Sequence, residues 1–173
     1  MIQIAFGVVD EHYKYHKWLQ YLYLPLTPIT REAKAIHHFT KAKLKSARAP
    51  DFEVKDALMI TKLLNSGTDI VGHNIKFDIT TLRIEFKRVN MEHLISDFNN
   101  QICTIKVANE LHNRKWNPSL RMLCIFYLTS EPLDYSKLHD AEFDLEATGK
   151  CFIEMRIITD ALIDSSKNVI DMK

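Results

Sequence analysis

The order in which hydrophobic period changes along the chain is what most narrows its fold. Residues 2–9 (IQIAFGVV) and 18–24 (WLQYLYL) read as two β segments joined by a polar turn over 10–17, and Pro25 and Pro28 end the second. From there, short apolar runs alternate with helix-spaced ones. Asp51 is placed to cap a helix over 52–64, with Val54, Ala57, Leu58, Thr61 and Leu64 on one face and Gly67 at its end. TDIVGH at 68–73 reads as a short buried strand. Ile79, Leu82, Phe86 and Val89 then recur at three- and four-residue spacing, which predicts a helix that turns Arg83, Lys87 and Arg88 outward. QICTIKVA at 101–108 predicts a further strand. In NPSLRMLCIFYL, Asn117 is placed to cap and Pro118 stands at the first helical position. The last long helix covers 141–163. A hairpin followed by alternating strand and helix describes an α/β layered domain with a mixed sheet.

Composition excludes several classes. At 173 residues the chain is the length of one domain with a proper core, and 46% hydrophobic with 26% charged residues is ordinary for a globular protein. The net charge of +1 gives no overall field for tight, sequence-blind nucleic-acid binding, and leaves room only for a local basic patch. TKAKLKSARAP at 40–50 is such a basic stretch, read as a flexible loop that is either solvated or in contact with phosphate. Cys103, Cys124 and Cys151 form no C-x-x-C, which suits a reducing compartment and argues against a structural zinc. The apolar run at 2–9 has no basic flank and Asp10 stops it, so it does not read as a signal peptide, and no stretch reaches membrane-spanning length. The expected location is cytoplasmic.

Two clusters carry candidate chemistry. VGHNIKFDITTL at 71–82 delivers Asp78 to the start of a helix just after a strand, where a carboxylate can cap backbone N–H groups or face a ligand. His73 and Asn74 beside it also fit a polar strand end. LHDAEFDLEATGKCF at 138–152 sets His139 five residues before Asp144. A helix repeats every 3.6 residues, so a His at its entrance and an Asp in its first turns can face one cleft. A neutral imidazole beside a carboxylate that holds a divalent cation is a candidate general base for activating water. A surface His with an Asp satisfying the helix dipole is the plainer alternative, and both stay open on these residues alone.

Taken together and in this order, VGHN-x-x-FD-x-x-x-L and H-D-A-x-x-D-x-x-A-T resemble the second and third motifs of the DnaQ-like, DEDDh-type 3′→5′ exonucleases, the family of the proofreading epsilon subunit of bacterial DNA polymerase III and of RNase T. IQIAFGVVDE is similar to the family's second strand, PITREAKAIHHFT to its P-x-x-A-x-x-I-H-G-I-T loop, and ICTIKVA with KWNPSLRMLC to the segment between the two motifs. The resemblance covers residues 2–158. It implies an RNase H-like α/β fold, a mixed sheet flanked by helices, in one exonuclease domain over 1–173. It further implies that Asp78 and Asp144 hold Mg²⁺ or Mn²⁺ in a two-metal site and that His139 deprotonates the attacking water. Two ions about 4 Å apart suit that reaction, since they stabilise both the attacking and the leaving oxygen. His73, Asn74 and Phe77 are the candidate substrate contacts; an exonuclease grips a terminal base by stacking, and Phe77 and Trp116 are candidate wedges for it, each also readable as a core residue. The implied partner is a nucleic-acid 3′ end, single-stranded DNA ahead of RNA, in proofreading or repair. A DNA polymerase or a homodimer stays open as protein partner, and nothing points to a membrane.

The family has four carboxylates, and these motifs supply two. The others belong to a D-x-E motif on a first strand, upstream of the segment that IQIAFG resembles, and here Met1 stands directly before that segment. Asp10 and Glu11 do not substitute: at about 3.3 Å per residue they lie roughly 25 Å from where the strand begins. The expectation is an N-terminally truncated domain whose sheet lacks its first, central strand. Its metal site is then incomplete, and an apolar edge is left on the 2–9 strand that can recruit another chain. Three functional readings follow: an exonuclease of which this chain is a shortened copy, a catalytically dead exonuclease-like module that binds nucleic acid or protein, and an inactive remnant. His38 stands where the family has Gly, which predicts a different backbone in that loop, and Leu138 replaces a small residue before His139.

Overall fold

Asp10 closes the N-terminal hairpin. Its carboxylate accepts from the backbone N–H of His12 at 3.0 Å and of Lys14 at 2.9 Å, while Tyr13 takes a left-handed φ of 60°. A bond with the His16 ring at 2.8 Å is the main reason the Asp10 carboxyl is held down at about 2. Because this turn is tight, the second strand begins three residues before the expected 18: β1 (Gln3–Val9) pairs antiparallel with β2 (Tyr15–Leu22), with a bulge between Phe6 and Gly7. The computed structural model describes residues 2–67, 69–95, 100–129 and 133–170, without the side chains of Lys17, Trp18 and 164–170.

Two short helices follow where loops were expected. Thr30 caps α1 (Arg31–His37) by accepting from the Ala33 N–H at 3.2 Å, and Thr40 caps α2 (Lys41–Ser46) by accepting from the Lys43 N–H at 3.1 Å. The basic stretch is therefore ordered, and Leu44, at 0% exposure, pins it to the body. Between the helices His38 adopts φ 57°, the left-handed cap that glycine takes without strain.

α3 (Val54–Leu64) starts two residues late. The Asp56 carboxylate accepts from the Glu53 N–H at 2.8 Å, so Glu53 and not Asp51 is the cap. The shift rotates the buried face to Asp56, Ala57 and Ile60 and leaves Val54 and Leu58 45% and 50% exposed. β3 (Ile70–Gly72) then leads into α4 (Ile75–Arg88), whose Ile79, Leu82 and Phe86 are buried as their spacing predicts. Arg88 turns inward instead, bonding Glu85 at 2.9 Å and the Phe52 carbonyl at 2.8 Å. The expected strand over 101–108 stops after three residues. β4 (Gln101–Cys103) gives way to α5 (Thr104–Leu111), because Thr104 and Ala108, both 0% exposed, bury one helical turn apart. α6 (Leu120–Tyr127) is capped by Ser119, whose hydroxyl accepts from the Met122 N–H at 3.3 Å, so the buried Pro118 precedes the helix and Asn117 is no cap. α7 (Ala141–Ile170) runs past the expected end at 163.

The architecture is the expected mixed α/β one, with small sheets flanked by helices. β1–β2 and β3–β4 are separate two-stranded ladders, the second parallel with Ile70 opposite Gln101. Among the described residues no ladder joins β1 to β3. α7 packs on β1, β2 and β3 and also on α5 and α6, so one helix spans both ladders. Apolar burial falls into two clusters. One lies between the hairpin, α3 and α4 around Phe86 and Ile60, and the other joins α5, α6 and α7 around Leu123, Cys151 and Met155. In the second, the free thiols of Cys124 and Cys151 lie 3.8 Å apart. No helix among the described residues is long and apolar enough to cross a membrane.

Tyr15 shows how closely the hairpin docks on α7. A Cβ at Gly7 would lie 2.8 Å from its ring, and so would one at Gly149 in α7. Gly149→Ala is therefore expected to destabilise by about 1–3 kcal/mol through overpacking, although an unencumbered helical site would gain about 1 kcal/mol. Urea unfolding decides it, and a net gain would mean that the hairpin is not seated on α7. His38→Gly is expected to raise stability by about 1 kcal/mol by relieving the left-handed strain, and an unchanged urea midpoint would count against a strained cap.

Candidate active site

The β3–α4 junction is compressed by three residues in a row. Gly72 lets the strand end approach the helix, since a Cβ there would lie 2.6 Å from Ile75 Cδ1 and 3.1 Å from Ile75 Cβ. His73 points into the protein, where its Nδ1 lies 3.0 Å from the Thr104 hydroxyl and the Pro118 carbonyl also engages the ring. Burial pushes this imidazole below its usual range. Asn74 then takes φ 59°, ψ 43°, a left-handed conformation that asparagine tolerates, and the chain enters the helix without a loop. Its carbonyl accepts from the Phe77 N–H at 2.8 Å. The result sets Asp78 in the first turn of α4 with Phe77, 67% exposed, beside it.

The start of α7 is built differently. Asp140 caps it: Oδ1 accepts from the N–H of Glu142 at 3.0 Å and of Phe143 at 3.2 Å. Gln3, at the start of β1, holds that cap from outside. Its Nε2 donates to Asp140 Oδ2 at 3.0 Å and its Oε1 accepts from the Ala141 N–H at 3.2 Å. His139 precedes the cap at φ 75°, and its backbone N–H donates to Asp144 Oδ1 at 3.2 Å, which leaves the ring exposed. Asp144 is half-buried in the first turn of α7.

The two helix starts bring Asp78 and Asp144 within electrostatic reach of each other. Asp78 stays open to solvent, yet enough protein surrounds its carboxyl that desolvation is the largest influence, and with the charge of Asp144 it pushes the group up to about 6. Desolvation also raises Asp144, against the lowering effect of the His139 N–H. Two carboxylates whose ionised forms lack a compensating cation are a site that would welcome one, and hard oxygen donors suit Mg²⁺ or Mn²⁺. Among the described residues no group of three or more His, Cys, Asp or Glu is arranged to hold a metal.

Of the residues singled out in the sequence, Asp78, Asp144 and His139 are gathered at the two helix starts, with Asn74 and Phe77 exposed on the α4 side. His73 serves the junction through its inward bonds. Trp116 packs edge-on to His112 in the α5–α6 connection, at 6.4 Å between ring centroids. Gln3 and Asp140 were not foreseen. An Asp directly before the helix at 141 is a cap signal, but nothing local marks Gln3 as its partner. Beside His139 a groove of about 190 Å³ runs between residues 36–39 and 136–140. Within it His37 Nδ1 accepts from the Phe39 N–H at 3.0 Å, so the proton sits on Nε2, which is buried without a hydrogen-bond partner among the described residues.

Comparison with known proteins bears on the family and the fold. A family model described as Exonuclease matches residues 1–152. Among solved structures, Exonuclease X in complex with 5′ overhanging duplex DNA matches with a TM-score of 0.62 and 22% sequence identity, over 92% of this chain and 84% of that one. At that identity the likeness is one of fold. The search of curated proteins found no match.

Asp78 gives a pH-dependent test of the geometry. In the folded protein its carboxyl keeps a proton up to about pH 6, whereas unfolded it releases near 3.8, so its ionisation costs stability as pH rises through that window. Asp78→Asn is expected to raise the thermal midpoint at pH 7.5 and to lose that advantage on acidification to pH 4. An equal shift at both pH values would show that Asp78 is not crowded by Asp144 and the protein around it.

Proposed function

The chain belongs to the exonuclease family, and on that premise we propose that it removes nucleoside 5′-monophosphates from nucleic-acid 3′ ends, DNA in the first place, with Mg²⁺ or Mn²⁺. The observation that carries this reading is the meeting of Asp78 and Asp144, each in the first turn of its helix and each with a raised carboxyl. Asp78 and Asp144 would hold the cation together with the scissile phosphate, as carboxylate-poor sites for these ions do. When bound, it would supply charge stabilisation on the phosphate oxygens and a more acidic water.

The other roles fall to side chains of this chain. Asp144 is oriented by the His139 N–H on one carboxylate oxygen, which leaves the second oxygen to face the site. The exposed His139 ring accepts the proton of the attacking water at a ring nitrogen. Phe77 offers a free aromatic face on which the terminal base stacks, a contact that tolerates any base. Asn74 lies within the same exposed turn, and His73 holds the strand end that aims it.

A second reading is favoured by one observation, the absence of a third metal-binding side chain among the described residues: the chain then grips a 3′ end without cutting it. A 5′-labelled single-stranded DNA oligonucleotide with Mg²⁺ or Mn²⁺ separates the two. Stepwise shortening from the 3′ end is expected, slowed by roughly two orders of magnitude or more in Asp144→Asn, with binding kept within a few-fold. Binding without shortening selects the second reading, and shortening that survives Asp144→Asn removes Asp144 from the site.

A further inference from the structure

Charge is unevenly spread along the chain. Between Arg31 and Arg48 stand six basic side chains against one acidic one, net +5 in a chain whose total is +1, which leaves the remainder at −4. All six, Arg31, Lys34, Lys41, Lys43, Lys45 and Arg48, are exposed. None is in an ion pair among the described residues. A solvated loop would blur such charges over many conformations. Here five of them are displayed on folded helices, with Arg48 in the turn just after the second: Thr30 and Thr40 cap the two segments, and Leu44 anchors the second. Lys41 and Lys45 sit one turn apart on the same face of α2.

This basic segment adjoins the groove beside His139. Residues 36–39, which link α1 to α2, form one wall of it, and Lys43 Nζ donates to the carbonyl of His38 in that wall at 3.2 Å. The opposite wall carries both signs, with Lys137, 4.0 Å from the Asp134 carboxylate, and Asp140 on either side of His139. Inside, the buried Nε2–H of His37 has no acceptor among the described residues. A row of exposed cations leading to this groove suits one kind of ligand, a polyanion.

We infer that α1 and α2 form a phosphate-backbone clamp, which holds the nucleic-acid strand as it passes into the groove toward His139. The inference rests on the proposed function and adds to it the surface along which the substrate enters. The clamp is electrostatic and blind to base sequence, and its contribution falls with salt as condensed counterions are released.

The test uses the full chain, without divalent ions so that nothing is cut, and a fluorescein-labelled single-stranded DNA whose binding is followed by anisotropy between about 50 and 200 mM salt. The triple variant Lys41→Ser/Lys45→Ser/Arg48→Ser is expected to weaken binding at least tenfold and to flatten the slope of log Kd against log salt by about 2–3 units. Lys41→Arg/Lys45→Arg is expected to bind like the unaltered chain, which separates lost charge from lost folding. The triple Lys62→Ser/Lys106→Ser/Lys115→Ser, at three exposed lysines elsewhere on the surface, is expected to change the slope by less than half as much. Binding that the first triple leaves intact, or that both triples weaken equally, overturns the clamp alone. No binding by the unaltered chain also overturns the clamp alone, because the exonuclease reading is decided by stepwise shortening with Mg²⁺ or Mn²⁺.

Discussion

The side chain of Gln3 holds the first residue of the sheet to the first turn of the longest helix. With one end it bonds the Asp140 carboxylate and with the other the Ala141 N–H, at 3.0 and 3.2 Å. Hydrogen bonds to charged groups contribute about 1.5–3 kcal/mol each, but position matters more here than energy. Asp140 caps α7, His139 precedes it, and Asp144 follows within a turn, so whatever fixes Asp140 fixes all three. The far end of the same hairpin is tied down too, where the Tyr13 hydroxyl donates to Asp160. α7 is thus fastened to the hairpin near both ends of β1, and the packing of Tyr15 on Gly149 fills the span between.

The site is a seam between two bodies of apolar packing. Asp78 rides on α4, whose buried face belongs to the cluster around Phe86, while Asp144 rides on α7, whose buried face belongs to the cluster around Met155. Each helix is seated independently, and only their starts converge. Convergence there has a cost, since two carboxylates that crowd each other and lose water oppose folding at neutral pH. Such a cost is typical where function and stability compete. α7 also has to span two ladders that share no hydrogen bonds with each other among the described residues, so its packing carries a share of the cohesion that a continuous sheet would supply.

The parts that were legible in the sequence are those governed by local period. Ile79, Leu82 and Phe86 announce the buried face of α4, alternation announces the hairpin, and the paired motifs announce both carboxylates and the family. The readings that failed did so where a short-range competitor was equally good. Asp51 is a sound cap, yet Glu53 with Asp56 makes a reciprocal one two residues later, and the face of α3 turns with it. TIKVA is as good a strand as a helix until Thr104 and Ala108 are known to be buried together. Arg88 was expected outward by helical geometry, but Glu85 and the Phe52 carbonyl, 36 residues away in sequence, draw it in. His38 shows the converse, since a residue other than glycine is held in the left-handed region by the cap it makes between α1 and α2. Gln3 was out of reach altogether, because its partner lies 137 residues away.

That last separation has a consequence for how the protein is made. Synthesis at about 5–20 residues per second leaves the hairpin waiting on the order of ten seconds before Asp140 is added. For that interval Gln3 has no partner, and Asp78 stands alone on α4 without Asp144. Closing so long a loop is also slow relative to local helix formation. The meeting of Asp78 with Asp144 therefore forms late, and a ribosome-bound chain carries the first carboxylate without its neighbour until α7 is out.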